Sequence, residues 1–148
     1  MIASIRVYGY FGLIPFIASV LGYYLYPLYS GVMLGFFMLY SSIILAFLAG
    51  SLWAFELAVN RHKEKGGKPF RVGLSVAIAF SLLPILAYGA SLWSLHIAVI
   101  VQMTAFVLLF VWEGRHIQEE VMPTGYRSLR AVLTVVVTLC HGALLFGL

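Results

Sequence analysis

The sequence predicts an all-α integral membrane protein: a five-transmembrane-helix bundle with its N-terminus cytoplasmic and its C-terminus periplasmic. Three observations carry that prediction. Hydrophobic residues fill 63% of the 148 positions and charged residues only 9%, too little polarity to clothe a soluble globule. The apolar residues are gathered into runs long enough to cross a hydrocarbon layer of roughly 30 Å. Finally, Arg6, then Arg61, Lys63, Lys65, Lys68 and Arg71, then Arg115, Arg127 and Arg130 all fall on one side of a five-span threading, and the other side carries no Lys or Arg. Basic residues near span ends prefer the cytoplasmic face, which sets the orientation. A single membrane domain over 1–148 is expected, multi-pass in a bacterial inner membrane.

The spans follow in order. Residues 7–26 form the first apolar run, with Pro15 in its middle and no small-x-small pattern before Pro27, as expected of a retained helix and not a cleaved signal peptide. Tyr23, Tyr24, Tyr26 and Tyr29 surround Pro27, the pattern of an aromatic belt around a tight turn. Residues 31–59 make a second span longer than a perpendicular crossing requires. Along it Ser42, Ala46, Gly50 and Ala54 recur every four residues and predict a close helix contact. The stretch from Asn60 to Arg71 is the most basic of the chain, and its Gly-Gly and Pro mark a solvated loop. The third span, 72–89, carries the small residues Gly73, Ala77 and Ser81 and a kinking Pro84. A minimal turn at 89–91 leads to the fourth span, 92–112, and the fifth occupies 129–148.

Charge and cysteine usage limit the function classes. The net charge of +4 lies in short segments between spans, an orientation signal that gives no reason to invoke nucleic acid. Cys140 is the lone cysteine, so no internal disulfide forms, and its apolar surroundings predict a packed thiol. There is no phosphate-binding loop, nucleophile elbow, metalloprotease motif or dinucleotide fingerprint. No catalytic residue is assigned, and a non-enzymatic protein is expected.

The polar residues are concentrated between Trp112 and Thr134. Gln102 and Glu113 share one face of the fourth span, while Arg127, Arg130, Thr134, Thr138 and His141 follow one face of the fifth. Two facing polar stripes are therefore expected, with Glu113 paired to Arg127 or Arg130, because a carboxylate leaving an apolar helix needs a charge or water. With Tyr126 and Thr134 these residues form the principal candidate cluster, read as an ion-pair lock or as a site for an anionic headgroup. Glu56, beside Trp53 on the second span, is the other intramembrane acid and a functional suspect for that reason. His96 and His141 lie at similar expected depth, and two facing histidines could hold a haem iron or share a proton. Hydrogen bonding to neighbours such as Thr138 is the reading preferred for them, so no cofactor is expected, and the helices supply no third protein ligand for a metal.

The stretch W-E-G-R at Trp112 to Arg115, followed by M-P-T-G-Y-R-S-L-R-A-V-L-T at Met122 to Thr134, resembles the transmembrane protein 69-like family, a domain of unknown function known from bacteria and mitochondria. G-L-I-P-F at Gly12 to Phe16 and Y-S-S-I-I-L-A-F-L-A-G-S-L-W at Tyr40 to Trp53 fit the same pattern, with a looser match at Leu82 to Tyr88. By that resemblance Glu113, Pro123, Tyr126, Arg130, Thr134, Tyr40, Gly50 and Trp53 stand at pattern positions. The chain departs with Glu113 where Asp is usual, Gly125 where Trp usually precedes the Tyr, and Leu52 where His usually precedes the Trp. The resemblance implies a multi-span membrane fold and brings no reaction.

The expected function is that of an accessory, assembly or self-associating component of a larger membrane complex, its partners being membrane lipids and other membrane subunits or itself. A small proton-coupled carrier using Glu56, Gln102, Glu113 and His141 is the alternative, with haem or quinone binding a lesser one.

Overall fold

The computed structural model describes residues 2–62, 70–117 and 125–148, all helical apart from short turns. The helices are α1 (Ile2–Phe11), α2 (Ile14–Leu25), α3 (Ser30–His62), α4 (Phe70–Ser91), α5 (Leu95–His116) and α6 (Tyr126–Gly147), with a single 3₁₀ turn at Pro27–Tyr29 between α2 and α3. Among the described residues, five segments are long and apolar enough to cross a membrane: Val7–Leu25, Pro27–Phe55, Gly73–Ser91, Leu95–His116 and Tyr126–Gly147.

The first of these is two helices and not one. Pro15 has no N–H, and its ring would collide with the carbonyl four residues earlier, so the helix stops at Phe11 and restarts with Pro15 in the first turn of α2, where its missing donor costs nothing. The Tyr40 hydroxyl, from α3, donates to the Gly12 carbonyl at 3.0 Å and satisfies an acceptor that the break exposes. Gly9 allows α1 to lie close on α6, for a Cβ there would come within 2.9 Å of a Leu129 methyl.

Helix α3 is the centre of the arrangement, packing against α2, α4 and α5, while α6 packs against α5, α2 and α1. Its buried face runs through Leu34, Phe37, Ser41, Leu45, Ala49 and Leu52. The small-residue stripe expected to receive a neighbour does so at Ser42, which meets Gln102 of α5, but its remainder points elsewhere: Ala46, Gly50 and Ala54 are exposed, and a Cβ at Gly50 would meet nothing within 4 Å. In lipid, hydrocarbon contact alone does not choose which face is buried. The face carrying Ser41 has a polar partner and large side chains to interlock, and it is the one that turns inward. On α4 the small residues Gly73 and Ala77 do reach the interior, and Pro84 lies inside that helix.

Other boundaries shift for local reasons. Backbone bonds from Leu92 to Gly89 and from Trp93 and Ser94 to Ala90 carry the end of α4 forward, so the turn lies at 92–94 and α5 begins at Leu95. Helix α5 then continues past Glu113 to His116. Gly125 adopts the left-handed conformation at φ 79°, and α6 starts immediately after it, at Tyr126 instead of Leu129. The predicted basic loop begins later than Asn60, since α3 is helical to His62; its residues 63–69, like Pro123, lie outside the described residues.

At the opposite end of the bundle, the Tyr23 hydroxyl donates to the Gly147 carbonyl at 2.7 Å and the Tyr24 hydroxyl to that of Ala143. Two of the tyrosines expected in an aromatic belt therefore tie α2 to α6, and the Gly147 carbonyl is one that the last turn of α6 leaves without a helical partner. Tyr26 and Tyr29 are exposed, as belt residues are.

Candidate functional site

Glu113 lies one turn before the end of α5, and Arg130 one turn into α6. The left-handed Gly125 ahead of Tyr126 is what brings them level. Arg130 Nε and Nη2 both approach Glu113 Oε2, at 2.9 and 2.8 Å. The pair is sealed, with Glu113 5% and Arg130 3% exposed, and Glu113 Oε1 is left buried without a hydrogen-bond partner. The Tyr126 hydroxyl lies beside this carboxylate and Ser51, and its ring meets Phe55 edge-on at 5.5 Å. Of the two arginines expected to compete for Glu113, Arg130 takes it, and Arg127 donates from Nη2 to the Gly114 carbonyl at 3.0 Å.

Deeper in the bundle, His141 is fully buried among Phe16, Phe37 and Phe106, with the Phe37 ring edge-on at 4.7 Å. Its Nδ1 stands 2.8 Å from the Val137 carbonyl and its Nε2 3.1 Å from the Ser41 hydroxyl. A carbonyl only accepts, so Nδ1 carries the proton, and neutral Nε2 accepts from Ser41. Gln102 Nε2 donates to Ser42 Oγ at 2.6 Å and to the Met38 carbonyl at 3.2 Å, leaving Oε1 unpartnered.

Gln102 and His141 thus both turn toward α3, and the expected facing stripes on α5 and α6 meet at Glu113 and Arg130. Ser41 is a residue that sequence reasoning missed. The available signal was its position on the Leu34, Phe37, Leu45 face, where a polar side chain needs a partner.

His96 and His141 do not face each other. His96, in the first turn of α5, is exposed while His141 is enclosed with both ring nitrogens engaged, so no common axial site lies between them. Trp53 is 48% exposed and not part of an interior polar path. Thr138 is half-buried and donates to the Thr134 carbonyl at 2.7 Å. Glu56 is helical, and its side chain lies outside the described residues.

A cavity of about 190 Å3 opens beside the α1–α2 break. Gly12, Leu13 and Phe16 contribute from the break, Phe106 from α5, and Arg130 and Thr134 from α6. Two stretches singled out by sequence, Gly12 to Phe16 and Arg130 to Thr134, therefore meet at one place. Thr134 is 6% exposed, and its Oγ1 has no hydrogen-bond partner.

The fold and these contacts define an all-α bundle, with five helices among the described residues long and apolar enough to cross a membrane, whose interior polar side chains tie one helix to another. The chain belongs to the family described as Protein of unknown function (DUF3429), whose model matches residues 1–146. No curated protein and no solved structure matches it.

Proposed function

We propose that the chain is a multi-pass protein of the bacterial inner membrane that acts by association, as an accessory, assembly or self-associating component of a larger complex, and not as an enzyme. The finer likeness to the transmembrane protein 69-like group, and the orientation with the N-terminus inside, belong to this reading; the latter rests on the one-sided placement of the nine basic residues.

The observation that carries the reading is the outer face of α3. Ala46, Gly50 and Ala54 form a shallow stripe at four-residue spacing that the bundle leaves open. Small residues in that pattern let a second helix backbone come close, where packing and lipid release drive association. A second copy or another membrane subunit is the partner that such a face accommodates.

The interior favours a scaffold over a carrier. A proton path along α5 needs polar groups between Gln102 and Glu113, but Phe106 and Leu109 occupy that face at 1% and 0% exposure. Gln102, Glu113 and His141 each engage a side chain on a neighbouring helix, which locks the bundle.

The test is native mass spectrometry after mild-detergent extraction, comparing the wild type with Gly50→Ile. Gly50 is exposed and a Cβ there meets nothing within 4 Å, so thermal stability should hold within about 0.5 kcal/mol while the associated species is lost. A wild-type chain found only as a monomer without a co-purifying partner would remove the basis for the proposal.

A further inference from the structure

We propose that the cavity beside the α1–α2 break binds the head ring of an uncharged, carbonyl-bearing, membrane-soluble molecule of the quinone class. Size is the first argument. An apolar protein cavity of about 150 Å3 holds a benzene ring, and this one measures about 190 Å3, which suits one substituted six-membered ring and not a whole phospholipid. Phe16 and Phe106 present aromatic surface to such a ring. Tyr8 and Phe47 form its outer rim and are 75% and 70% exposed, so an apolar tail has a lateral way out.

Polarity selects the head. Thr134 lines the cavity and is more than nine-tenths buried, yet its hydroxyl has no partner. A buried hydroxyl left unmatched is costly, and a ligand oxygen would satisfy it. Arg130 also lines the cavity, but Glu113 already neutralises its charge through two contacts. A second anion would compete with that carboxylate in a medium of low dielectric, whereas a neutral carbonyl accepts a hydrogen bond without disturbing the pair.

Depth separates a quinone ring from a lipid ester. Thr134 is eight residues along α6 from Tyr126, about 12 Å of helix rise. That lies below the interface where glycerolipid carbonyls reside and within reach of a molecule whose whole head dissolves in the membrane.

The test uses the full chain in phospholipid nanodiscs, with decylubiquinone as the probe and decylbenzene as the chain-matched control lacking carbonyls. Native mass spectrometry should show one saturably bound decylubiquinone, no comparable decylbenzene, and about tenfold weaker binding to Thr134→Val, the loss expected for one hydrogen bond. Leu48→Trp, on the α3 wall of the cavity, should exclude the probe. Equal binding of the two probes, or equal affinity of wild type and Thr134→Val, overturns the proposal. So does a retained phospholipid that decylubiquinone cannot displace, which would assign the cavity to an ester carbonyl. The inference stands apart from the association reading, because Gly50→Ile and Thr134→Val alter opposite sides of the molecule's function and either result can fail alone.

Discussion

Arg130 places Nε and Nη2 on a single oxygen of Glu113, at 2.9 and 2.8 Å, and so joins two helices across seventeen residues of chain. The second carboxylate oxygen is buried without a hydrogen-bond partner. Both charges are removed from solvent, so each depends on the other: the attraction is strong where the dielectric is low, and the desolvation cost of either partner alone is large.

Breaking the pair should therefore cost more than deleting it. Arg130→Met alone is expected to lose about 3–5 kcal/mol, and Glu113→Leu combined with Arg130→Met should recover most of that loss. Reversible unfolding in mixed micelles measures both. A double variant as unstable as the single one would show that the pair is not the source of the effect.

His141 has a tautomer dictated by its neighbours. Nitrogen-15 spectra of the reconstituted protein should show Nδ1 protonated and Nε2 bare, because the Val137 carbonyl can only accept. Ser41→Ala should shift the Nε2 resonance alone and destabilise by about 1 kcal/mol, as one interhelical hydrogen bond within a membrane is worth about 0.6 and seldom above 1.7 kcal/mol. A protonated Nε2 contradicts the assignment.

Gly125 sets where α6 begins. At φ 79° any other L residue is strained, so Gly125→Ala should cost about 1–2 kcal/mol. Gly125→Asn should cost less, since Asn tolerates this region better. Melting temperatures of the two variants order them, and the reverse order would show that the turn does not rely on glycine.

Tyr40 holds the α1–α2 break closed. Tyr40→Phe removes the donor to the Gly12 carbonyl and leaves the ring in place beside Phe16. Amide hydrogen exchange should accelerate at residues 12–17 and remain unchanged in α5 and α6. Uniform exchange across the chain, or none at the break, would show that this hydroxyl does not hold it.

Much of the arrangement was legible from residues alone. The five apolar segments follow from hydropathy, since a helix is how an isolated apolar run satisfies its backbone in lipid. That Glu113 would seek a basic residue on the last helix follows from the cost of a bare charge. The choice of Arg130 over Arg127 did not, because it depends on where α6 starts, and that depends on the left-handed Gly125. Pro15 marked an irregularity in the first span, but the separation into α1 and α2 also uses the Tyr40 hydroxyl, twenty-eight residues away.

By itself the sequence determined the class of protein, the segments able to cross a membrane, and the need for each interior polar side chain to find a partner. Only the tertiary structure decided who the partners are: Ser41 for His141, Ser42 for Gln102, Arg130 for Glu113. It also decided that the Ala46, Gly50, Ala54 stripe faces outward and that Thr134 borders a cavity made at the α1–α2 break. The physical reason is common to all of these. In an apolar segment every face is hydrophobic, so periodicity no longer distinguishes inside from outside, and the helices take their rotations from shape and from a few polar contacts between residues far apart in sequence.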